Sequence, residues 1–127
     1  MPQPYDLLAH AHDRAMAFLS SLPERPVAPQ ASFEELTAAL GGPLPDAPQD
    51  PLSIVLDLSA RLEPGVAATA GPRYFGFVTG GSYPVALAAD WLVSAWDQNA
   101  ALHIMSPGMS ALEACTATTP SPLAISR

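Results

Sequence analysis

The sequence contains no lysine, one cysteine and few cationic groups of any kind. Its basic side chains are five arginines against twelve acidic residues, giving a formal net charge of −7. Nucleic-acid binding is therefore disfavoured, because a phosphate backbone requires clustered Lys and Arg. The single Cys115 excludes an internal disulfide and a cysteine-built zinc site.

Long apolar runs and a basic, apolar leader are also lacking. The N-terminus, MPQPYDLLAHAHDRAM, has neither feature of a signal peptide, and Asp90 interrupts the most apolar region. We therefore expect a cytoplasmic protein without a membrane partner.

Proline, by contrast, is abundant, with 15 residues in a chain of 127. Alanine supplies much of the 49% apolar content, and alanine buries little area. This composition predicts a mostly α fold of short helices, Pro-rich connectors and a thin core.

Helix signals recur along the chain. The first predicted helix covers residues 5–22, with Asp6 as its N-cap and Pro23 as its stop. Capping or proline signals predict four more helices. Three of them run from Ser32 to about Gly41, from Asp50 to about Pro64 and from Pro84 to about Gln98, and the fourth starts at Ser106. The segment 116–127 is rich in Thr, Ser and Pro and is expected to be a disordered tail after residues 1–115, with an out-of-frame origin as one explanation.

Residues 71–83 are the most ambiguous part of the sequence. RYFGFVT, residues 73–79, is aromatic and β-branched enough to predict a short strand or extended segment. The following Gly80-Gly81 loop is either a simple turn or a ligand contact, since no Walker or dinucleotide-binding motif follows. Ser82 lies outside a nucleophile-elbow motif, and its expected role is helix entry.

Other polar residues favour ordinary surface roles. His10 and His12 point apart on a helix and do not share a metal ion. Asp90 and Asp97 lie on one helix face, where an exposed acidic edge is the favoured interpretation over paired carboxylates.

Four segments in a fixed order carry a family resemblance: RYFGFVT, TGGSYPVALAADWL, WDQNAAL and SPGMSALE. In this order they resemble the N-terminal part of pyridoxal-phosphate-dependent group II decarboxylases, which act on aromatic amino acids, glutamate and related substrates. PERPVAP and ALGGPLP upstream also look like that region. The resemblance covers about residues 5–114 and implies part of a fold-type I α/β enzyme, usually a homodimer.

The resemblance also implies where substrate binds. The positions of Phe77, Val78 and Thr79 line the substrate side of the pocket in such enzymes. The stretch from Asn99 through Ala101 to His103 lies near the active site, often that of the partner subunit. An amino acid is the implied substrate and pyridoxal phosphate the implied cofactor.

The missing lysine limits this expectation. Pyridoxal phosphate is held as a Schiff base on a lysine, so this chain holds no cofactor covalently and has no predicted catalytic, cofactor-binding or metal-binding residue. We expect a truncated decarboxylase segment that is inactive alone. The alternatives are a helical module that docks on a full-length decarboxylase, and one half of a split enzyme.

Overall fold

The chain is all-α across residues 5–118, the part that the computed structural model describes. The chain divides into two compact units, Met1–Gly81 and Ser82–Arg127. The α-helices are α1 (Asp6–Ser21), α2 (Phe33–Leu40), α3 (Pro51–Leu62), α4 (Pro84–Trp96) and α5 (Pro107–Thr118), with a 3₁₀ turn at Glu63–Gly65 after α3. The predicted mostly α class is confirmed. Of the short strand or extended segment predicted at residues 73–79, the strand is wrong, since no strand occurs within residues 5–118.

Side-chain caps start two of the helices as predicted. Ser32 Oγ accepts from the Glu35 N–H at 3.2 Å, and the Ser32 N–H donates to Glu35 Oε2 at 2.8 Å, which forms a complete capping box on α2. The Ser32 backbone N–H, and secondarily its hydroxyl, lower the pKa of the Glu35 carboxyl. At α3, Asp50 Oδ2 accepts from the Ser53 N–H at 2.9 Å, ahead of Pro51 in the first turn.

Other helix boundaries differ from the sequence-based prediction. Asp6 is the first residue of α1 rather than its cap; Tyr5 holds the N-cap position without a side-chain hydrogen bond. α4 ends at Trp96 because Asp97 adopts a left-handed conformation, with φ 46° and ψ 52°. α5 continues to Thr118, three residues into the predicted tail; the rest of that tail lies outside the described residues.

In the first unit, α3 contacts both α1 and α2. Irregular chain completes the packing through backbone hydrogen bonds between the Pro-rich connector, residues 22–32 between α1 and α2, and the segment after α3. The N–H groups of Gln30 and Ala31 donate to Pro64 O at 2.7 and 3.1 Å, and the Ala68 N–H donates to Val27 O at 3.1 Å. These bonds satisfy backbone groups that the prolines leave outside regular structure.

The core is as thin as the composition predicts. Only Leu22, Ala68 and Ser106 are buried among residues 5–118, at 8%, 1% and 2% exposure. Gly71 packs closely against the backbone of Leu22 and Ala68, since a Cβ added there would lie 3.2 Å from Leu22 O and 3.1 Å from Ala68 O. The apolar faces of the helices consequently remain in contact with solvent. No helix within the described range is long and apolar enough to cross a membrane.

Candidate functional site

The segment that carries the first three candidate residues is a tight turn. The Thr79 N–H donates to Gly76 O at 3.2 Å, which closes a four-residue turn around Phe77 and Val78. The Thr79 hydroxyl donates to the same carbonyl oxygen at 3.2 Å. Both central residues have positive φ, 52° and 55°, as in type I′ turns.

This turn is an unusual place for Phe77 and Val78. Left-handed backbone costs an L-residue about 1–2 kcal/mol, and a β-branched side chain suits it least. Neither side chain recovers that cost by burial, because Phe77 is 93% exposed and Val78 is fully exposed. Phe75 is exposed as well, so the segment presents an apolar tip. The aromatic, β-branched pattern that predicted a strand therefore occurs in a loop, with no strand in residues 5–118 to pair with.

Gly80 and Gly81 connect this turn to α4. A Cβ on Gly80 would meet nothing within 4 Å, and one on Gly81 would meet only Ala70 at ordinary contact distance. Ser82 is not the cap of α4; Tyr83 occupies that position without a side-chain hydrogen bond. Gly80 and Gly81 therefore lie in irregular chain that is not a hydrogen-bonded turn, and no close backbone approach requires glycine at either position.

The second set of candidate residues lies between α4 and α5. Asn99 Oδ1 accepts from the Ala101 N–H at 3.0 Å, an Asx-type turn that leaves the amide nitrogen of Asn99 available as a donor. His103 is exposed, and within residues 5–118 it makes no hydrogen bond or ion pair. Ser106 anchors this connection, because its hydroxyl donates to Gln98 Oε1 at 3.2 Å.

The six candidates fall into two sets of three. Phe77, Val78 and Thr79 belong to the first compact unit, and Asn99, Ala101 and His103 belong to the second. The 76–79 turn brings the first three together. In the second unit, Asn99 and Ala101 share the Asx-type turn, whereas His103 lies in the next turn, in which the N–H groups of Met105 and Ser106 donate to Leu102 O.

The remaining polar candidates form no site of their own. Among the described residues, no three His, Cys, Asp or Glu side chains cluster closely enough to hold a metal ion. His12 Nδ1 lies 3.1 Å from Asp13 Oδ1, a contact between neighbouring surface residues.

A groove in the first unit is a feature that the sequence analysis missed. Its volume is about 430 Å³, and it lies between α1, the Pro-rich connector and the end of α3. Arg14, Arg25, Gln30 and Glu63 supply its polar lining. No local spacing signals this groove, because Arg14 and its partner Ser59 are 45 residues apart.

Comparison with known proteins assigns no family to the chain. No protein-family model matches it, and no curated protein or solved structure is significantly similar to it.

Proposed function

We propose that residues 1–115 form the N-terminal segment of a pyridoxal-phosphate-dependent group II amino-acid decarboxylase. In this role the segment is one wall of the substrate pocket and a contact surface of a homodimer, within a fold-type I enzyme. The ordered motifs from RYFGFVT to SPGMSALE support the family. The all-α structure is compatible with such a segment and carries no further weight for the family.

The observation that carries the proposal is the apolar turn at Phe77 and Val78. Strained backbone persists where surrounding structure enforces it, and exposed apolar clusters mark surfaces that other protein covers. Here the strain and the exposure coincide at the positions that the resemblance assigns to the substrate pocket. A second wall from additional polypeptide would bury both side chains.

The residues present do not fit pyridoxal phosphate as a covalent cofactor. The chain has no lysine, so a Schiff base with a lysine side chain is excluded. The lysine has to come from polypeptide outside these 127 residues. The first unit offers an amino-acid substrate an apolar wall and the Thr79 hydroxyl. The second unit, as a separate surface, offers the Asn99 amide and the His103 ring.

The exposed face of α4 favours a second candidate, a helical module that docks on a full-length decarboxylase. Large apolar side chains of this helix face solvent: Val85, Trp91, Leu92, Val93 and Trp96. Docking on a full-length decarboxylase would cover them. Association with a separately encoded lysine-bearing chain would instead make this chain one half of a split enzyme, which shares the pocket-wall role of the first candidate. This candidate differs from the first in requiring binding without a contribution to catalysis.

Complementation separates the two functions. A group II decarboxylase from which the matching N-terminal segment has been deleted is co-expressed with this chain, and both co-purification and CO₂ release from amino acids are measured. Restored CO₂ release supports the pocket-wall role, and binding without activity supports the docking module. Absence of binding to any such partner would contradict both.

Two variants sharpen the complementation test. Phe77→Ser is expected to lower restored activity at least tenfold, because the apolar wall is lost. Phe33→Ser is the matched control, since Phe33 is also strongly exposed but lies on α2, away from the turn. An equal effect of both substitutions would count against a specific role for Phe77.

A further inference from the structure

We infer that the groove between α1, the Pro-rich connector and the end of α3 binds a small carboxylate that carries an apolar group. This inference is independent of the decarboxylase proposal. All the residues that carry it lie in the first compact unit.

Arg14 supplies the anion-binding group. Its Nε donates to Ser59 Oγ at 3.2 Å, and the Ser59 hydroxyl in turn donates to Leu56 O at 2.9 Å. This chain of bonds fixes the guanidinium on the surface of α3. Arg14 is exposed, and within residues 5–118 its two terminal nitrogens have no hydrogen-bond or ion-pair partner, so this guanidinium fork is free to bind an anion.

The net charge of the groove favours a monoanion. Arg25 is the second cation; its guanidinium lies 4.3 Å from the Phe18 ring centroid and donates to Ser21 Oγ at 3.1 Å. Its side chain is only 17% exposed, and Glu63 Oε1 lies 3.4 Å from it. Two arginines and one glutamate leave a local charge of +1 in a chain of net charge −7, which suits a carboxylate better than a dianion.

The remaining walls of the groove suit an apolar group. They are formed by Pro26, Ala28, Ala60, Pro64 and Val66. A volume of about 430 Å³ is at the small end of ligand pockets, which span roughly 300–1,000 Å³. The combination of a fork, one net positive charge and small apolar walls therefore selects a carboxylate on a small ring or branched alkyl group.

Arginine side-chain NMR tests this inference directly on the full chain. The chain has five arginines and no lysine, so its Nε–Hε spectrum contains few signals. Phenylacetate is titrated at constant ionic strength, with acetate, benzyl alcohol and inorganic phosphate as comparison probes. We expect saturable shifts of the Arg14 Nε–Hε and Val66 amide signals with phenylacetate, several-fold weaker binding of acetate, and no Arg14 shift with benzyl alcohol.

Matched arginine variants complete the test. Arg14→Gln should weaken phenylacetate binding roughly tenfold, and Arg14→Lys, which keeps the charge but lacks the fork, should weaken it as well. Arg61→Gln is the control and should leave binding unchanged, because Arg61 pairs with Asp57 at 2.8 Å and does not line the groove.

Several outcomes would overturn the inference. In the titration, these are chemical shifts of all arginines that rise linearly with phenylacetate concentration, and tighter binding of phosphate than of phenylacetate. In the variants, it is equal loss of binding in Arg14→Gln and Arg61→Gln. A wild-type spectrum without dispersed signals would also overturn it, since the groove would then not exist.

Discussion

At Val78 the residue type and the backbone conflict most strongly. Its φ is 55° and its side chain is fully exposed, so glycine in its place relieves left-handed strain without loss of packing. After allowance for the flexibility of glycine in the unfolded chain, we expect Val78→Gly to stabilise the turn by about 1 kcal/mol. Hydrogen exchange of the Thr79 amide, which donates to Gly76 O, should then slow roughly fivefold.

Val66→Gly is the matched control for this substitution. Val66 has φ −89°, and its N–H donates to Glu63 O at 3.1 Å. Glycine there relieves no strain and removes groove packing, so exchange of that amide should become faster. Slower exchange in both variants, or faster exchange in both, would contradict the assignment of strain to Val78.

Glu35 makes the start of α2 sensitive to acid. Its pKa is lower in the folded chain than in the unfolded chain, mainly because the Ser32 backbone N–H donates to its carboxylate. The capping box therefore stabilises α2 above the ordinary carboxyl pKa, and this stabilisation is lost as the pH falls through the lowered value. Amide protection in α2 should decrease on acidification in the wild type and change much less in Glu35→Gln. An equal decrease in both would place the titrating group elsewhere.

At the scale of elements, the starts of α2 and α3 follow from the sequence because side-chain capping is local chemistry, whereas α1 and α4 start without a side-chain cap. Ser32 and Asp50 accept from backbone N–H groups of the first turn, and Pro51 has no N–H to satisfy, whatever the tertiary structure is. A strand is different, since its hydrogen bonds require a neighbouring strand. Residues 73–79 have the composition of a strand, but the described chain offers no partner, and a turn forms instead.

The two candidate sites also differ in whether local sequence alone can reveal them. Phe77, Val78 and Thr79 are adjacent in sequence, so a motif identified them, although their left-handed turn could not be anticipated from aromatic and β-branched residue types. The Arg14 groove joins α1 to α3 across 45 residues, and the sequence shows its arginines only as charge. Sites assembled from distant elements require tertiary structure to be recognised.

The cap of α3 is the element-scale contact with the widest expected effect, because α3 contacts both α1 and α2. Asp50→Ala removes the carboxylate that accepts from the Ser53 N–H, at a cost of about 1 kcal/mol, and Asp50→Asn retains an acceptor. Amide protection along α3 should fall roughly fivefold in the first variant and little in the second. Asp46→Ala, in the preceding connector, is the control; loss of protection there as well would indicate a general charge effect.

At the scale of the whole molecule, the shared feature is how little of the described chain is buried. Proline-rich connectors and alanine-rich helices form good local structure but leave almost nothing buried in residues 5–118. Stability then depends on caps and short hydrogen-bonded turns more than on a core. The apolar side chains of α4 and of the 76–79 turn remain available for another protein surface, which is what the proposed decarboxylase assembly requires.

The thin core determines how the isolated chain should unfold. The dependence of unfolding free energy on urea scales with the surface exposed on unfolding, and small domains show about 1–3 kcal/mol per molar urea. We expect this chain at or below the lower end of that range, with a broad thermal transition by circular dichroism and strong binding of an apolar fluorescent dye. A truncated decarboxylase that covers the exposed faces should sharpen the transition and displace the dye, because a partner that binds only the folded chain stabilises it. A steep, cooperative transition of the chain alone, without dye binding, would show that its exposed faces need no partner and would remove the physical basis for an assembly.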